Sequence, residues 1–167
     1  MDKIIINDAN IDIKDIKIYE KKVRAILLKD DKILVSHYGG INLLPGGKID
    51  GLENDDEALI RELKEETGIV YDINKLKKVC LIKHYQYNFP TRNNGICNRL
   101  IDTLYYIGEY KGIDLANTKR TINEINGNFS LELIDIDDVL KNESNNPRKV
   151  FFDRENEEVI KVLRKIK

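Results

Sequence analysis

The chain has 167 residues, of which 41% are hydrophobic and 34% are charged, and its formal net charge at pH 7 is −1. This length and composition predict one globular domain over residues 1–167, and the near-neutral charge gives no electrostatic reason to expect bulk nucleic-acid binding. No apolar run approaches the roughly 20 residues that cross a membrane, and the N-terminus lacks the apolar stretch of a signal peptide. Cys80 and Cys97 have the spacing of neither a disulfide framework nor a zinc site, so we expect both to be reduced thiols. Together these features predict a cytoplasmic protein that has no membrane partner.

The first twenty residues, 1–20, form an N-terminal extension with alternating isoleucines. The alternation predicts short strands near 4–6, 11–13 and 16–18. These strands either add an edge hairpin to the protein's own sheet or pair across a homodimer. Residues 23–28 then predict a buried strand, and residues 32–36 return as its hairpin partner after a turn at 29–31.

The segment 44–69 contains a glycine turn followed by an acidic helix. Asn54 or Asp55 can cap the helix start, and Gly68 can adopt the left-handed conformation that closes its end. Strands are predicted at 76–86, 99–108 and 129–134, a short helix at 137–141, and an amphipathic C-terminal helix at 153–166. Strands with helices on both sides predict an α/β protein with a mixed β-sheet in an α/β/α sandwich.

Three glutamates gather on one side of the acidic helix. At about 100° per residue, Glu62, Glu65 and Glu66 share one arc with the small side chain of Ala58. Like charges one turn apart each cost roughly 0.2–0.5 kcal/mol in an isolated helix, and carboxylate oxygens at this density suit Mg²⁺, with Mn²⁺ as the other option. The alternative is a solvated helix face, because Arg61 and Glu65 form a favourable i,i+4 pair.

The segment 47–69 resembles the Nudix box of the Nudix (MutT-like) hydrolases, G-x5-E-x7-R-E-U-x-E-E-x-G-U with U a bulky aliphatic residue. Every specified position matches: Gly47, Glu53, Arg61, Glu62, Leu63, Glu65, Glu66, Gly68 and Ile69. Leu52 stands where many members have glycine, a difference that bears on the loop around Glu53. The resemblance implies a Nudix-type α/β/α sandwich and metal-dependent hydrolysis of a nucleoside diphosphate linked to another group X, by attack of water on phosphorus.

The resemblance also implies roles for single residues. Glu62, Glu65 and Glu66 match the metal-binding glutamates, and the Gly46 carbonyl is a further candidate ligand. Arg61 would hold a neighbouring glutamate in place, with Glu53 as its expected partner. The general base of the family is either a box glutamate, for which we select Glu65, or a glutamate on a distant loop. The distant candidates are Glu109, Glu124 and Glu132, with Glu124 as the loop alternative.

The segment 84–95 joins two predicted strands and is rich in aromatic and turn residues, which makes it a candidate substrate-binding region. Aromatic rings can stack a base and arginines can bind phosphate, so the candidates are Tyr85, Tyr87, Phe89, Arg92 and Arg99. Alternatively, the tyrosines are packed strand residues and Arg92 is solvated. Tyr85 and Tyr87 resemble in placement a tyrosine of Nudix proteins that cleave dinucleoside polyphosphates, which favours those compounds, or nucleoside triphosphates, as substrates. His37 and His84 stand alone, and we expect them in the core or on a strand surface.

Three classes of function are compatible with these features. The first is a hydrolase of nucleoside diphosphates linked to X, which the intact glutamate set favours. The second is a nucleotide-sensing Nudix domain without turnover, and the third is an α/β interaction domain with an acidic helix. The set spacing of the glycine turn, Glu53 and Gly68 argues against the third.

Overall fold

The structure is a computed structural model that describes residues 1–93, 95–141 and 144–166. The strands in this part of the chain are β1 (Asp2–Ile6), β2 (Ile18–Lys29), β3 (Lys32–Tyr38), β4 (Ile41–Leu43), β5 (Gly46–Lys48), β6 (Lys77–Pro90), β7 (Ile96–Glu109) and β8 (Ser130–Asp135). The α-helices are α1 (Asp55–Thr67), α2 (Ile122–Asn126) and α3 (Lys149–Ile166). Within the described residues, no helix is long and apolar enough to cross a membrane.

All eight strands belong to one mixed sheet. Its main strand order is β1-β6-β7-β2-β3-β4, with β5 paired to β2 and β8 paired to β3. The pairs β1–β6 and β2–β7 are parallel, whereas the other pairs are antiparallel. The predicted α/β class with a mixed sheet is therefore confirmed.

The central strand β2 contributes to a separate core on each face of the sheet. Val23, Ala25 and Leu27 pack with Leu59 and Leu63 of α1. Ile26 points to the opposite face, where α3 supplies several apolar side chains. Because both faces are covered, β2 is a nearly continuous apolar run rather than an alternating one.

Helix α1 begins and ends where the sequence predicts. The Asn54 side chain accepts the N–H of Glu57, the Glu57 side chain accepts the N–H of Asn54, and together they form a capping box. Gly68 closes the helix with a φ of +79°. A Cβ at Gly68 would lie 2.0 Å from the Asp114 carbonyl oxygen, so only glycine fits.

Three of the predicted elements differ from the structure. Residues Ile13–Asp15 form a 3₁₀ turn rather than a strand, because the Asp12 side chain accepts the N–H of Lys14. The predicted helix 137–141 is a 3₁₀ turn at Ile136–Asp138. The Asn42 side-chain amide donates a hydrogen bond to the Val139 carbonyl, which a continuing helix would use for its own backbone. The C-terminal helix begins at Lys149 rather than at residue 153, because Asn146 accepts the N–H of Arg148 at 2.9 Å.

Strand β1 is a parallel edge strand of the chain's own sheet and not one arm of a hairpin. Its register runs from Asp2 opposite Cys80 to Ile6 opposite His84, and Ile6 is 1% exposed in the core on the α3 side.

Because Ile6 is buried, we expect Ile6→Ala to lower the free energy of unfolding by about 2–5 kcal/mol, measured by urea denaturation. The neighbouring Ile5→Ala is the control, because Ile5 is 70% exposed and should change stability by less than about 0.5 kcal/mol. Equal effects of the two substitutions would show that β1 is not part of the core.

Candidate functional site

The glycine turn brings the backbone of β5 close to α1. Gly46 has a φ of +142°, and a Cβ there would lie 2.0 Å from the Val23 carbonyl oxygen. A Cβ on Gly47 would lie 2.5 Å from Oε1 of Glu62. The Gly46 N–H also points to the Glu66 carboxylate, at 3.3 Å from Oε2. The two glycines thus let the strand approach the carboxylates without side chains between them.

Arg61 is the centre of the polar contacts on α1. It donates to both carboxylate oxygens of Glu53, from Nη2 at 2.6 Å and from Nε at 3.0 Å. Its Nη1 donates to Glu62 at 2.9 Å and lies 3.5 Å from Glu65. Its Nη2 also donates to the Lys48 carbonyl at 3.0 Å, which ties the helix to β5. Glu53 is the partner expected for Arg61, and the structure brings the two side chains together in a bidentate pair.

Three carboxyl groups near Arg61 have shifted pKa values. The Arg61 guanidinium lowers the pKa of Glu53. Burial raises the pKa of Glu62, and burial raises that of Glu66 well above its ordinary value. The negative charges of Glu62 and Glu124 raise the pKa of Glu66 further. An added cation would relieve this crowding of buried carboxylates.

A cavity of about 300 Å³ lies between α1, the glycine turn and the segment that leads into α2. Its walls are Gly46, Asp50, Arg61, Glu62, Glu65, Glu66, Lys119, Thr121 and Glu124. We name it the acidic cavity. The Glu65 carbonyl holds the outer wall in place, since it accepts the Lys119 N–H at 2.7 Å and a bond from Arg120 Nη1 at 3.0 Å.

Of the distant carboxylates, Glu124 alone among the three candidates reaches the acidic cavity. Thr121 and Glu124 form a capping box at the start of α2, so one Glu124 oxygen accepts the Thr121 N–H at 2.9 Å. Glu109 is exposed and pairs with Lys111 at 2.7 Å. Glu132 pairs across strands with His37 at 2.8 Å. Helix α2 was not among the predicted elements, although its T-x-x-E capping pattern is a signal for a helix start.

A larger cavity of about 650 Å³ adjoins the acidic cavity. The two share four wall residues, namely Gly46, Glu66, Thr121 and Glu124. Three of the five substrate-binding candidates, Phe89, Arg92 and Arg99, also line the larger cavity. Tyr85 and Tyr87 lie elsewhere, and Tyr87 is 55% exposed. Neither tyrosine is among the residues that line these two cavities, and their role in substrate binding stays a prediction.

A model described as the NUDIX domain matches residues 16–154 of the chain. The chain belongs to the NUDIX family. The match extends from the start of the long strand β2 into α3, so it includes the glycine turn, the carboxylates of α1 and both cavities.

Curated relatives match shorter parts of this NUDIX chain. The 8-oxo-dGTP diphosphatase of Proteus vulgaris is 40% identical over 60 residues, which are 36% of this chain and 49% of the relative. The ADP-ribose pyrophosphatase of Methanocaldococcus jannaschii is 39% identical over 59 residues, 32% of this chain and 35% of the relative. The chain thus spans half the length or less of these two relatives.

A solved NUDIX structure confirms the fold over almost the whole chain. The NUDIX domain of Shewanella oneidensis NrtR, complexed with ADP ribose, has a TM-score of 0.56 and covers 94% of both chains. The sequences are 21% identical, so the likeness concerns the fold alone. Despite the difference at Leu52, whose side chain is fully exposed, Glu53 of the Nudix box still binds Arg61.

The donor types of the acidic cavity fit a hard divalent cation, because they are carboxylates beside a backbone turn. Among residues 1–93, 95–141 and 144–166, however, no group of three or more His, Cys, Asp or Glu side chains could hold a metal ion as arranged. Arg61 explains part of this, since its guanidinium already engages Glu62. Metal binding would therefore require these side chains to rotate.

Gly47 offers a way to disturb this cavity without disturbing the fold. In Gly47→Ala the new Cβ would displace the Glu62 carboxylate, which is the end of a flexible side chain. We expect a change in stability below about 1 kcal/mol, but a loss of activity of up to about 100-fold, as a displacement near 1 Å can cause. Thermal unfolding and kcat/KM measure the two effects. Gly46→Ala is the contrasting variant and should unfold, because its Cβ would collide with the backbone of β2. Full activity of Gly47→Ala would show that the position of Glu62 does not matter.

Proposed function

We propose that this chain is a metal-dependent pyrophosphohydrolase that cleaves a phosphoanhydride bond in a nucleoside diphosphate linked to another group X. The observation that carries this proposal is the junction of the two cavities. The acidic cavity can hold a cation with a pyrophosphate, and the adjoining cavity of about 650 Å³ has the size of a nucleotide-binding pocket. Membership of the NUDIX family supports the reaction class.

In this proposal Glu62, Glu65, Glu66 and the Gly46 carbonyl would hold Mg²⁺ or Mn²⁺. A bound cation would neutralise pyrophosphate charge and make a coordinated water more acidic. Arg61 and Glu53 are positioning residues, since their bidentate pair and the bond to Lys48 fix α1 against β5.

Glu65 is our candidate for the general base that takes a proton from the attacking water. Its carboxylate is only weakly engaged, at 3.5 Å from Arg61 Nη1. Glu124 is less free, because it caps the start of α2 through the Thr121 N–H. As the water oxygen forms its bond to phosphorus, the bridging P–O bond breaks and its electrons stay on the leaving phosphate, which yields two phosphorylated products.

The family and the names of the relatives support a class of substrate. One is an 8-oxo-dGTP diphosphatase and the other an ADP-ribose pyrophosphatase. Both named compounds are nucleoside diphosphates linked to a further group. We therefore place oxidised and ordinary nucleoside triphosphates, ADP-ribose and nucleotide sugars in the candidate class.

The experiment is a panel of these compounds, with product release measured in Mg²⁺, in Mn²⁺ and in EDTA. We expect cleavage of at least one compound with a metal ion and no cleavage in EDTA. Metal-dependent nucleotide binding without cleavage of any compound would instead indicate a nucleotide-sensing domain.

A further inference from the structure

The end of the large cavity that lies away from α1 is strongly cationic. A subsidiary space of about 360 Å³ there is lined by Lys22, Lys48, Arg92, Arg99 and Arg148, with Glu20 as the single carboxylate in its described wall. All five of these cations also line the main cavity with Phe89. Lys48 pairs with Glu20 at 2.8 Å, and we name the other four, Lys22, Arg92, Arg99 and Arg148, the cationic cluster. A cleft lined mainly by one sign of charge attracts a ligand of the opposite sign.

Arg99 is the fixed member of this cluster. Its side chain is 7% exposed, and its Nε donates to Gln86 Oε1 at 2.8 Å. Its Nη1 lies 3.6 Å from Glu20, too far for a good hydrogen bond. Its buried Nη2 has no hydrogen-bond partner in the described part of the chain. A buried guanidinium N–H without a partner is costly, so this donor is available for a ligand.

Phe89 supports the arginines and is not a free surface for a base. The Arg99 guanidinium carbon lies 3.4 Å from the centre of the Phe89 ring, and that of Arg148 lies 5.0 Å from it. The Phe151 ring packs against Phe89 with a centroid distance of 5.2 Å. Arg148 is also oriented by a bond from its Nε to the Pro90 carbonyl at 2.8 Å. The Phe89 ring therefore positions two guanidinium groups toward the cavity.

The cations of the cluster disfavour one another. Burial and the neighbouring Arg24 and Arg99 lower the pKa of Lys22 to about 7. Burial lowers the pKa of Arg99 to about 10, and the charge of Arg148 acts in the same direction. The repulsion between these buried cations destabilises the protein, and a bound anion would offset it.

We infer that the cationic cluster binds an additional anionic group of the substrate, a phosphate or a carboxylate beyond the two phosphates that face α1. Arginine forks match the geometry of both groups. The inference rests on the proposed function and narrows it, since compounds with an anion remote from the scissile bond become the preferred substrates. The anion is located either on the nucleoside or on X.

The first test measures the binding of inorganic phosphate by isothermal titration calorimetry in EDTA, so that it is independent of metal and turnover. Arg99→Gln could unfold the protein, whereas Arg148 is only partly buried and Arg92 is exposed. We expect Arg148→Gln and Arg92→Gln to weaken phosphate binding about ten- to hundredfold, the effect of a lost charge-assisted hydrogen bond. Arg154→Gln is the matched control, because Arg154 lies on α3, which begins directly after Arg148, and pairs with Asp8 at 2.9 Å and Glu158 at 2.7 Å. Absence of saturable phosphate binding by the wild type, or unchanged affinity in both cluster variants, would overturn the inference.

The second test uses matched substrate pairs. ADP-ribose with and without a 2′-phosphate tests an anion on the nucleoside, and UDP-glucuronate with UDP-glucose tests an anion on X. We expect the anionic member of one pair to have at least about tenfold higher kcat/KM, with the preference lost in Arg148→Gln. Cleavage without any preference in either pair would overturn the substrate assignment while the proposed hydrolase activity stands. If the panel shows no hydrolysis at all, the proposed function fails, and phosphate binding still decides whether the cluster is an anion site.

Discussion

Glu65→Gln should lower kcat about 10²–10⁴-fold, the usual contribution of a positioned general base. Glutamine keeps the size and hydrogen-bonding shape of the side chain but cannot accept a proton from water at neutral pH. Glu65 is partly exposed on α1 and has only a 3.5 Å contact with Arg61, so the fold should tolerate the change. Steady-state kinetics with the best compound of the panel, in Mg²⁺, measures the loss.

Two further variants make this result specific to Glu65. Glu124→Gln changes the α2 carboxylate that lines the same cavity and should reduce kcat by less than Glu65→Gln does. Glu109→Gln changes an exposed carboxylate that pairs with Lys111 outside the cavity, and it should leave kcat unchanged. Near-normal turnover in Glu65→Gln with a large loss in Glu124→Gln would transfer the role of base to Glu124.

Glu66→Gln should stabilise the metal-free protein at neutral pH while it removes most of the activity. Glu66 is 5% exposed, and burial with the charges of Glu62 and Glu124 raises its pKa well above the ordinary value. A carboxyl whose pKa is raised in the folded state binds protons more tightly there than in the unfolded chain. Its favourable contribution is therefore complete at low pH and is lost as the pH rises through the folded-state pKa.

The difference in unfolding free energy between Glu66→Gln and the wild type should thus depend on pH. In EDTA we expect it to be small near pH 4 and to favour the variant increasingly as the pH rises to 8, since the wild-type carboxyl must then ionise in its buried site. In Mg²⁺ the wild type should gain stability and the variant should gain less, because the proposed metal ligand is lost. For the same reason kcat/KM of the variant should be lower by about 100-fold or more. Urea denaturation at the two pH values measures the first effect. A variant that is less stable than the wild type at pH 8 in EDTA would show that the Glu66 carboxylate is not destabilised by its surroundings.

The acidic helix could be predicted from the sequence in detail because its determinants are local. The capping residue Asn54, the closing Gly68 and the spacing from Glu53 to Arg61 all lie within one short segment. Residues three and four positions apart on a helix are neighbours in any fold. The class of fold was predictable for a similar reason, since strand and helix periodicities repeat along most of the chain.

The sequence indicated Phe89, Arg92 and Arg99 of the large cavity, but most of its wall could not be predicted, because it depends on long-range pairing. Arg99 lies beside the start of β2 only because of the parallel β2–β7 register, which places it opposite Ile18. Arg148 is distant from both in the sequence and directly precedes α3. A register shift between Gln86 and Phe89 also changes which side chains of β6 face the cavity. Phe89, which follows the shift, lines the cavity, whereas Tyr85 and Tyr87 do not.

The most direct test of the account is a comparison of product release by the wild type, Glu65→Gln and Glu66→Gln, in Mg²⁺ and in EDTA, for each compound of the panel. All three proteins must first be shown to be folded by circular dichroism. We predict cleavage of at least one nucleoside diphosphate derivative by the wild type in Mg²⁺, none in EDTA, and a loss of about 100-fold or more in both variants. Cleavage that persists in EDTA, or that both folded variants retain at the wild-type rate, would contradict the assignment of the reaction to the acidic cavity.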